Sequence, residues 1–264
     1  MSETVISVKI RSPLGFLKKT DMNEGLYLTY NTLHKPALLG ILGAIAGLGG
    51  FYQSYIEDPK QLPEYYQKLN CIGTGIRPVT GGSSAVFKKS YLQYNNSTGF
   101  ASHEEGGNLI VKEQILINPA YIVYLKLDRS INEQNLAYES LKNNEAVYIP
   151  YLGKNEFQIW WDDFREYKFS EFHPVENEQY EIETSFIKQK GVRVDGVKLD
   201  DFFSFLKSNP VFNFERLPSG YDEQRMVYAF SDFVLTNVRF DGRYNPGNLY
   251  LLEDDEKEII VQLN

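Results

Sequence analysis

Cysteine and histidine are scarce in this chain of 264 residues, and each scarcity removes a class of chemistry. A single thiol, Cys71, excludes an intrachain disulfide and a cysteine-rich zinc site, so a reducing cytoplasm is the expected home. Cys71 itself is expected to be a small buried hydrophobe. The histidines, His34, His103 and His173, lie far apart, and none has a metal-like partner at helical or turn spacing. No metal site is expected. Walker loops, dinucleotide fingerprints, HExxH and GxSxG are all absent, so no cofactor is implied. Long apolar runs are missing too. The stretch "HKPALLGILGAIAGLGGFYQ" is bounded by Lys35 and Gln53, which leaves it short of the roughly 20 apolar residues that span a bilayer. It also starts too far into the chain to be a secretory signal, and no membrane contact is expected.

What is present is an uneven charge. The net charge of -8 argues against a wholly polyanion-binding surface. Residues 1–130, however, hold 13 Lys and Arg against 10 Asp and Glu, whereas residues 131–264 hold 14 against 25. A bound polyanion is therefore expected on the first half. The acidic pairs Asp162/Asp163 and Asp200/Asp201 and the "EDDEKE" tail read as solvated surface.

Periodicity supplies the elements. "TVISVKIRS" alternates Ile6, Val8 and Ile10 with Ser7, Lys9 and Arg11, a strand with one buried face and one basic face. After Pro36, the spacing of Leu38, Ile41, Leu42, Ile45 and Leu48 predicts a helix ended by Gly49 and Gly50, with Gly40, Gly43 and Gly47 on another face. Glycine costs about 1 kcal/mol in a helix interior relative to alanine, so that stripe points to a close approach by another element. "KLNCIGTGIRPV" and "VKEQILINPAYIVYLKLD" read as strands separated by a long hairpin. "SINEQNLAYESLKNN" reads as a helix with Ser130 and Glu133 in capping-box spacing and Leu136, Ala137 and Leu141 inward. "AVYIPYL" reads as a fourth strand. The resulting βαββαβ order predicts an α+β fold. Its N-terminal domain, residues 1–158, is ferredoxin-like (RRM-like), with a long β-hairpin thumb over about 77–117. A smaller β-rich part follows over 159–264.

Two chemistries fit these residues. Cations interleaved with aromatics suit single-stranded RNA: Lys9 and Arg11 on one strand face, Lys35 at a helix start, and Lys88 and Lys89 near Tyr91 and Tyr94. Alternatively Tyr30, His34 and Lys35 could supply the base, acid and cation of metal-independent RNA cleavage. A third reading takes the basic face as a contact for acidic protein partners in an assembly. Lys88 and Lys89 also fit an edge strand kept soluble by lysine.

The segments "LTYNTLHKPALLGILGAIAGL", "VYIPYLGKNEF" and "FERLPSGYDE", with the basic first strand and the long hairpin, together resemble the Cas-five family of CRISPR-associated proteins. That family belongs to the RAMP superfamily, and the resemblance is to the form found in type I-B Cascade complexes. The resemblance implies a subunit that holds the 5′ handle of the guide crRNA beside a backbone subunit and a large subunit, with target DNA nearby, in antiviral defence. On this chain the handle would meet Lys9, Arg11, His34, Lys35, Arg77, Lys88, Lys89, Tyr91, Gly153 and Lys154. In the type I-C branch the family cleaves precursor crRNA itself. Here the His34–Lys35 pair lies outside the third-strand region where that branch carries its pair. The resemblance thus implies a non-catalytic subunit, with cutting left to a separate Cas-six nuclease.

Overall fold

The first strand sits at the centre of the molecule because its alternation serves two cores. In the computed structural model, which describes residues 2–20, 25–81, 85–95, 109–188, 210–255 and 257–264, β1 (Glu3–Arg11) turns Ile6, Val8 and Ile10 to one side and Val5 and Ser7 to the other, all buried. Short strands β2 (Leu14–Gly15) and β3 (Leu26–Tyr27) lead to helices α1 (Lys35–Ala46), α2 (Phe51–Glu57) and α3 (Glu64–Leu69). Then come β4 (Gly73–Pro78), β5 (Lys89–Asn95), β6 (Ile110–Ile117), β7 (Ala120–Asp128) and α4 (Asn132–Asn143). The second half holds β8 (Trp160–Glu171), β9 (Gln179–Tyr180), β10 (Phe186–Ile187), β11 (Phe212–Asp222), β12 (Val227–Thr236), β13 (Phe240–Asp241), β14 (Leu249–Glu253) and β15 (Glu258–Gln262). The fold is mixed α/β and rich in strands.

Six strands form one antiparallel sheet in the order β15-β14-β8-β1-β7-β4. Strands from both sides of residue 158 build it, so a cut there would part β8 from β1, with which it pairs from Arg11↔Trp160 to Val5↔Tyr167. On one face, Ile6, Val8, Ile10, Val123 and Leu125 pack against Leu38, Leu42 and Ile45 of α1, Leu69 of α3 and Tyr138 and Leu141 of α4. On the other, Val5, Tyr124 and Tyr167 meet Leu252, Val261 and Leu263. Each such side chain, fully buried, contributes about 1.5–3 kcal/mol. The outer face of β1 is therefore less polar than the alternation predicts, and Ser7 shares a 3.0 Å hydrogen bond with the Tyr167 hydroxyl.

The glycine stripe of α1 is explained by α3. A Cβ at Gly43 would fall on the Cβ of Tyr65, so only glycine lets the two helices meet there. The helix ends earlier than predicted, at Gly47, whose φ of 79° suits a C-cap; Gly50 instead starts α2. Together α1 and α2 turn through 85°, and no single helix among the described residues is long and apolar enough to cross a membrane.

The segment "AVYIPYL" is not a strand. The backbone N–H groups of Val147 and Tyr148 donate to the Ile45 and Ala44 carbonyls at 3.1 and 3.0 Å, satisfying the C-terminal end of α1. That leaves β8 to pair with the edge of β1 opposite β7. The capping box of α4 also fails: Ile131 is the N-cap, and the Ser130 hydroxyl donates to Asp128 instead. The inward stripe is Gln134, Ala137, Tyr138 and Leu141, with Leu136 exposed. Cys71 is exposed, not buried, and its sulfur accepts from the Gln134 amide at 3.2 Å.

Candidate nucleic-acid interface

The loop "YNTLHK" before α1 is a hub of hydrogen bonds. The Asn31 side chain donates to the Ala85 carbonyl (2.9 Å) and accepts from the Phe87 N–H (2.9 Å), which fixes the approach to β5. Its carbonyl accepts from the Tyr121 hydroxyl at 2.7 Å. Glu215 of β11 spreads its carboxylate across the N–H groups of Asn31 and Thr32, at 2.8 and 3.0 Å, tying the second half of the chain to this loop. Charged hydrogen bonds of this kind are worth about 1.5–3 kcal/mol each. Glu215→Ala, which strands both donors, is expected to cost about 3–5 kcal/mol, read as a lowered denaturant midpoint.

His34 and Lys35 are spent inside the fold. His34 is buried edge-on between Tyr30 and Tyr228, and its Nδ1 accepts from the Ala37 N–H at 3.3 Å as the N-cap of α1. Burial pushes its pKa down to about 3. The Lys35 ammonium donates to the backbone oxygens of Ile72 (3.0 Å) and Asn264 (2.8 Å), and burial lowers its pKa to about 8. Neither points at solvent phosphate.

Other expected contacts are likewise committed. Arg11 pairs with Asp162, and Arg77 lies 3.2 Å from Glu183. Lys154 holds Glu113 at 2.6 Å beneath the ring of Tyr94. Gly153 is structural, with φ at +86° and no room for a Cβ beside the Phe16 carbonyl. Lys9 faces the opposite side of the sheet, in a cleft of about 330 Å³ with Arg165 and Lys257. Strands β5 and β6 pair antiparallel, from Lys89↔Leu116 to Asn95↔Ile110. The tip, 96–108, lies outside the described residues, as does His103.

Three cations do converge. Lys19, Lys89 and Arg216 line a groove of about 500 Å³ together with Tyr30, Phe214 and Phe230. Among the described residues none of the three has an ion-pair partner, and Glu215, which also lines the groove, already accepts two backbone N–H groups. Lys19 sits 5.2 Å from the centre of the Tyr30 ring, and Arg216 lies 5.4 Å from that of Phe230. Burial lowers the Lys89 pKa, the Glu215 carboxylate opposes that shift, and Lys19 adds to it. From the groove the alternation of β5 continues the surface: Lys89, Tyr91 and Gln93 share a face with Lys112 and Gln114 of β6. Lys88 is exposed just before β5. Lys19, Phe214, Arg216 and Phe230 escaped the sequence reading. Their one local signal is "FNFERL", where exposed rings at Phe212 and Phe214 alternate with half-buried Asn213 and Glu215.

A second surface is apolar. Phe51, Tyr52, Tyr55 and Ile56 of α2 are exposed, as are Val147, Tyr148, Ile149 and Tyr151. Between them runs a groove of about 540 Å³ along α1.

No family model and no curated protein matches the sequence. Among solved structures, a CRISPR protein from Archaeoglobus fulgidus is similar at 13% identity over 98% of this chain and 99% of its own, with a TM-score of 0.46. A chain of a CRISPR RNA-guided surveillance complex is similar at 13% identity over 91% of this chain and 94% of its own, with a TM-score of 0.42. A chain of the type III-B Cmr-beta complex bound to cognate target RNA and AMPPnP is similar at 12% identity, 90% and 86% coverage, and a TM-score of 0.47. At these values the likeness fixes neither a family nor a role.

Proposed function

We propose that this protein is a non-catalytic RNA-binding subunit of a CRISPR effector complex. More narrowly, it is the Cas-five-type subunit of a type I-B Cascade, holding the 5′ handle of the guide crRNA in the cytoplasm. The observation that carries the reading is the groove of Lys19, Lys89 and Arg216: cations without ion-pair partners among the described residues, gathered among aromatic rings in a chain of net charge -8. Cations beside an exposed ring, here Phe214, suit a single strand, the ring stacking a base and the cations tracking the backbone. The sequence resemblance of "LTYNTLHKPALLGILGAIAGL" and its companion segments agrees with it. A ferredoxin-like core is supported by the strand order β8-β1-β7-β4, with α1 to α3 between β1 and β4 and α4 between β7 and β8. Membership of a larger assembly is supported by the exposed apolar surface of α2 and 147–151, since patches of this kind mark interaction sites.

The non-catalytic part of the proposal rests on how the cleavage candidates are used. Tyr30 is buried, His34 is a neutral cap, and Lys35 is bound to two backbone oxygens. The His34 pKa is lower in the folded chain than its ordinary value of 6.5. Its contribution to stability is therefore complete above about pH 6.5 and is lost progressively as pH falls towards 3. Unfolding midpoints are expected to drop between about pH 6.5 and 5, where ordinary carboxylates stay ionised. His34→Asn, which keeps a capping oxygen, should flatten that drop.

The proposal is tested by purifying the tagged protein with its native partners and sequencing the RNA it retains. Guide RNAs of uniform 5′ end are expected. Absence of RNA, or RNA with random ends, would overturn the reading.

A further inference from the structure

We infer that the groove between β5 and β11 is a pocket for one unpaired nucleotide, with the base laid on Phe214 and its phosphates held by Lys19, Lys89 and Arg216. This rests on the RNA-binding reading and narrows it to a place and a contact mode. The volume of about 500 Å³ lies within the range of roughly 300–1,000 Å³ typical of small-ligand clefts, which suits a single nucleotide rather than a duplex. The Phe214 ring is 60% exposed and parallel to that of Phe212, their planes 7° apart, so β11 offers a flat aromatic edge towards the cations. Hydrophobic burial does not explain an exposed ring at this position; stacking of a base does.

Geometry keeps the pocket open. Glu215, the carboxylate nearest the cations in sequence, already accepts the Asn31 and Thr32 N–H groups and, although its charge acts on Lys89, forms no ion pair with the three cations among the described residues. Asn31 also anchors 85–87, just before Lys89, which lines the same groove as Arg216. The cations thus remain available to an external anion. The alternation of β5 then carries the strand outward past Tyr91 and Lys112.

The test is fluorescence anisotropy of the full chain with a labelled oligouridine RNA and with the same strand made abasic, each at several salt concentrations. Phe214→Ala is expected to weaken the oligouridine complex about tenfold and leave the abasic complex unchanged. Phe214→Leu, which keeps bulk without an aromatic face, should behave like Phe214→Ala. Lys89→Gln is expected to weaken both strands and to reduce the salt slope by about 0.7. Equal binding of both strands by wild type and Phe214→Ala would overturn the nucleotide pocket while leaving RNA binding intact. Failure of either strand to bind at low salt would overturn RNA binding as well. Displacement of RNA by polyglutamate at lower concentration than by unlabelled RNA would overturn the pocket in favour of an acidic protein partner.

Discussion

Gly153→Ala is expected to destabilise the protein by about 3 kcal/mol or more, an effect of the same order as Glu215→Ala. Two costs combine. At φ +86° an L-residue is strained by about 1–2 kcal/mol. The added methyl would also collide with the backbone of Phe16, which cannot swing aside as a flexible side chain does. Phe16 is held by its own N–H, which donates to the Leu152 carbonyl at 3.0 Å, while Leu152 is buried in the main core and its N–H donates to the Phe157 carbonyl at 2.8 Å. Relief of the clash therefore means opening the turn that closes 152–157 against β2. Chemical denaturation measures it: a loss under about 1 kcal/mol would mean the turn yields cheaply, contrary to the geometry.

The triple substitution Lys19→Gln, Lys89→Gln, Arg216→Gln is expected to lower affinity for single-stranded RNA about a thousandfold or more at moderate salt. Charge-assisted contacts contribute about 1.5–3 kcal/mol each, and each phosphate neutralised adds roughly 0.7 to the salt slope, so the slope should fall by about 2. Folding stability should fall by only about 1–2 kcal/mol, the loss of the Lys19–Tyr30 and Arg216–Phe230 contacts, because none of the three side chains has an ion-pair partner among the described residues. The contrast is with Arg11, Arg77 and Lys154. Their charges are already neutralised by Asp162, Glu183 and Glu113, so glutamine at those positions should shift RNA affinity by less than about threefold. If the two sets of variants lose affinity equally, the ion pairs do not decide which cations meet RNA.

Local pattern made much of the scaffold legible. The alternation of β1, the apolar periodicity of α1 and the interleaving of strands with helices lead to a mixed α/β fold with α1 in its core. What the pattern could not carry was competition between distant partners. Val147 and Tyr148 have strand-like character, yet the free carbonyls at the end of α1 claim their N–H groups. His34 and Lys35 look like a phosphate site at a helix start until the C-terminal end of the chain is seen folded against Lys35. The groove is harder still to read, because Lys19, Tyr30, Lys89 and Arg216 come from four separate segments. Lys88, Lys89 and Tyr91 stand out in the sequence because they share one strand region with visible aromatics. Lys19 lacks a second cation-and-ring pattern of that kind, and Arg216, though it follows Phe212 and Phe214, lies far from the other cations in the sequence.

The central claim is that RNA lies along the groove and the adjoining face of β5. Ultraviolet crosslinking of uridine-bearing RNA to the purified protein, followed by mapping of the modified peptides, tests it most directly. Crosslinks are expected at Tyr91 and Phe214, on peptides spanning 85–95 and 210–222. Crosslinks confined to β1 and the start of α1, around Lys9 and Lys35, would contradict the account.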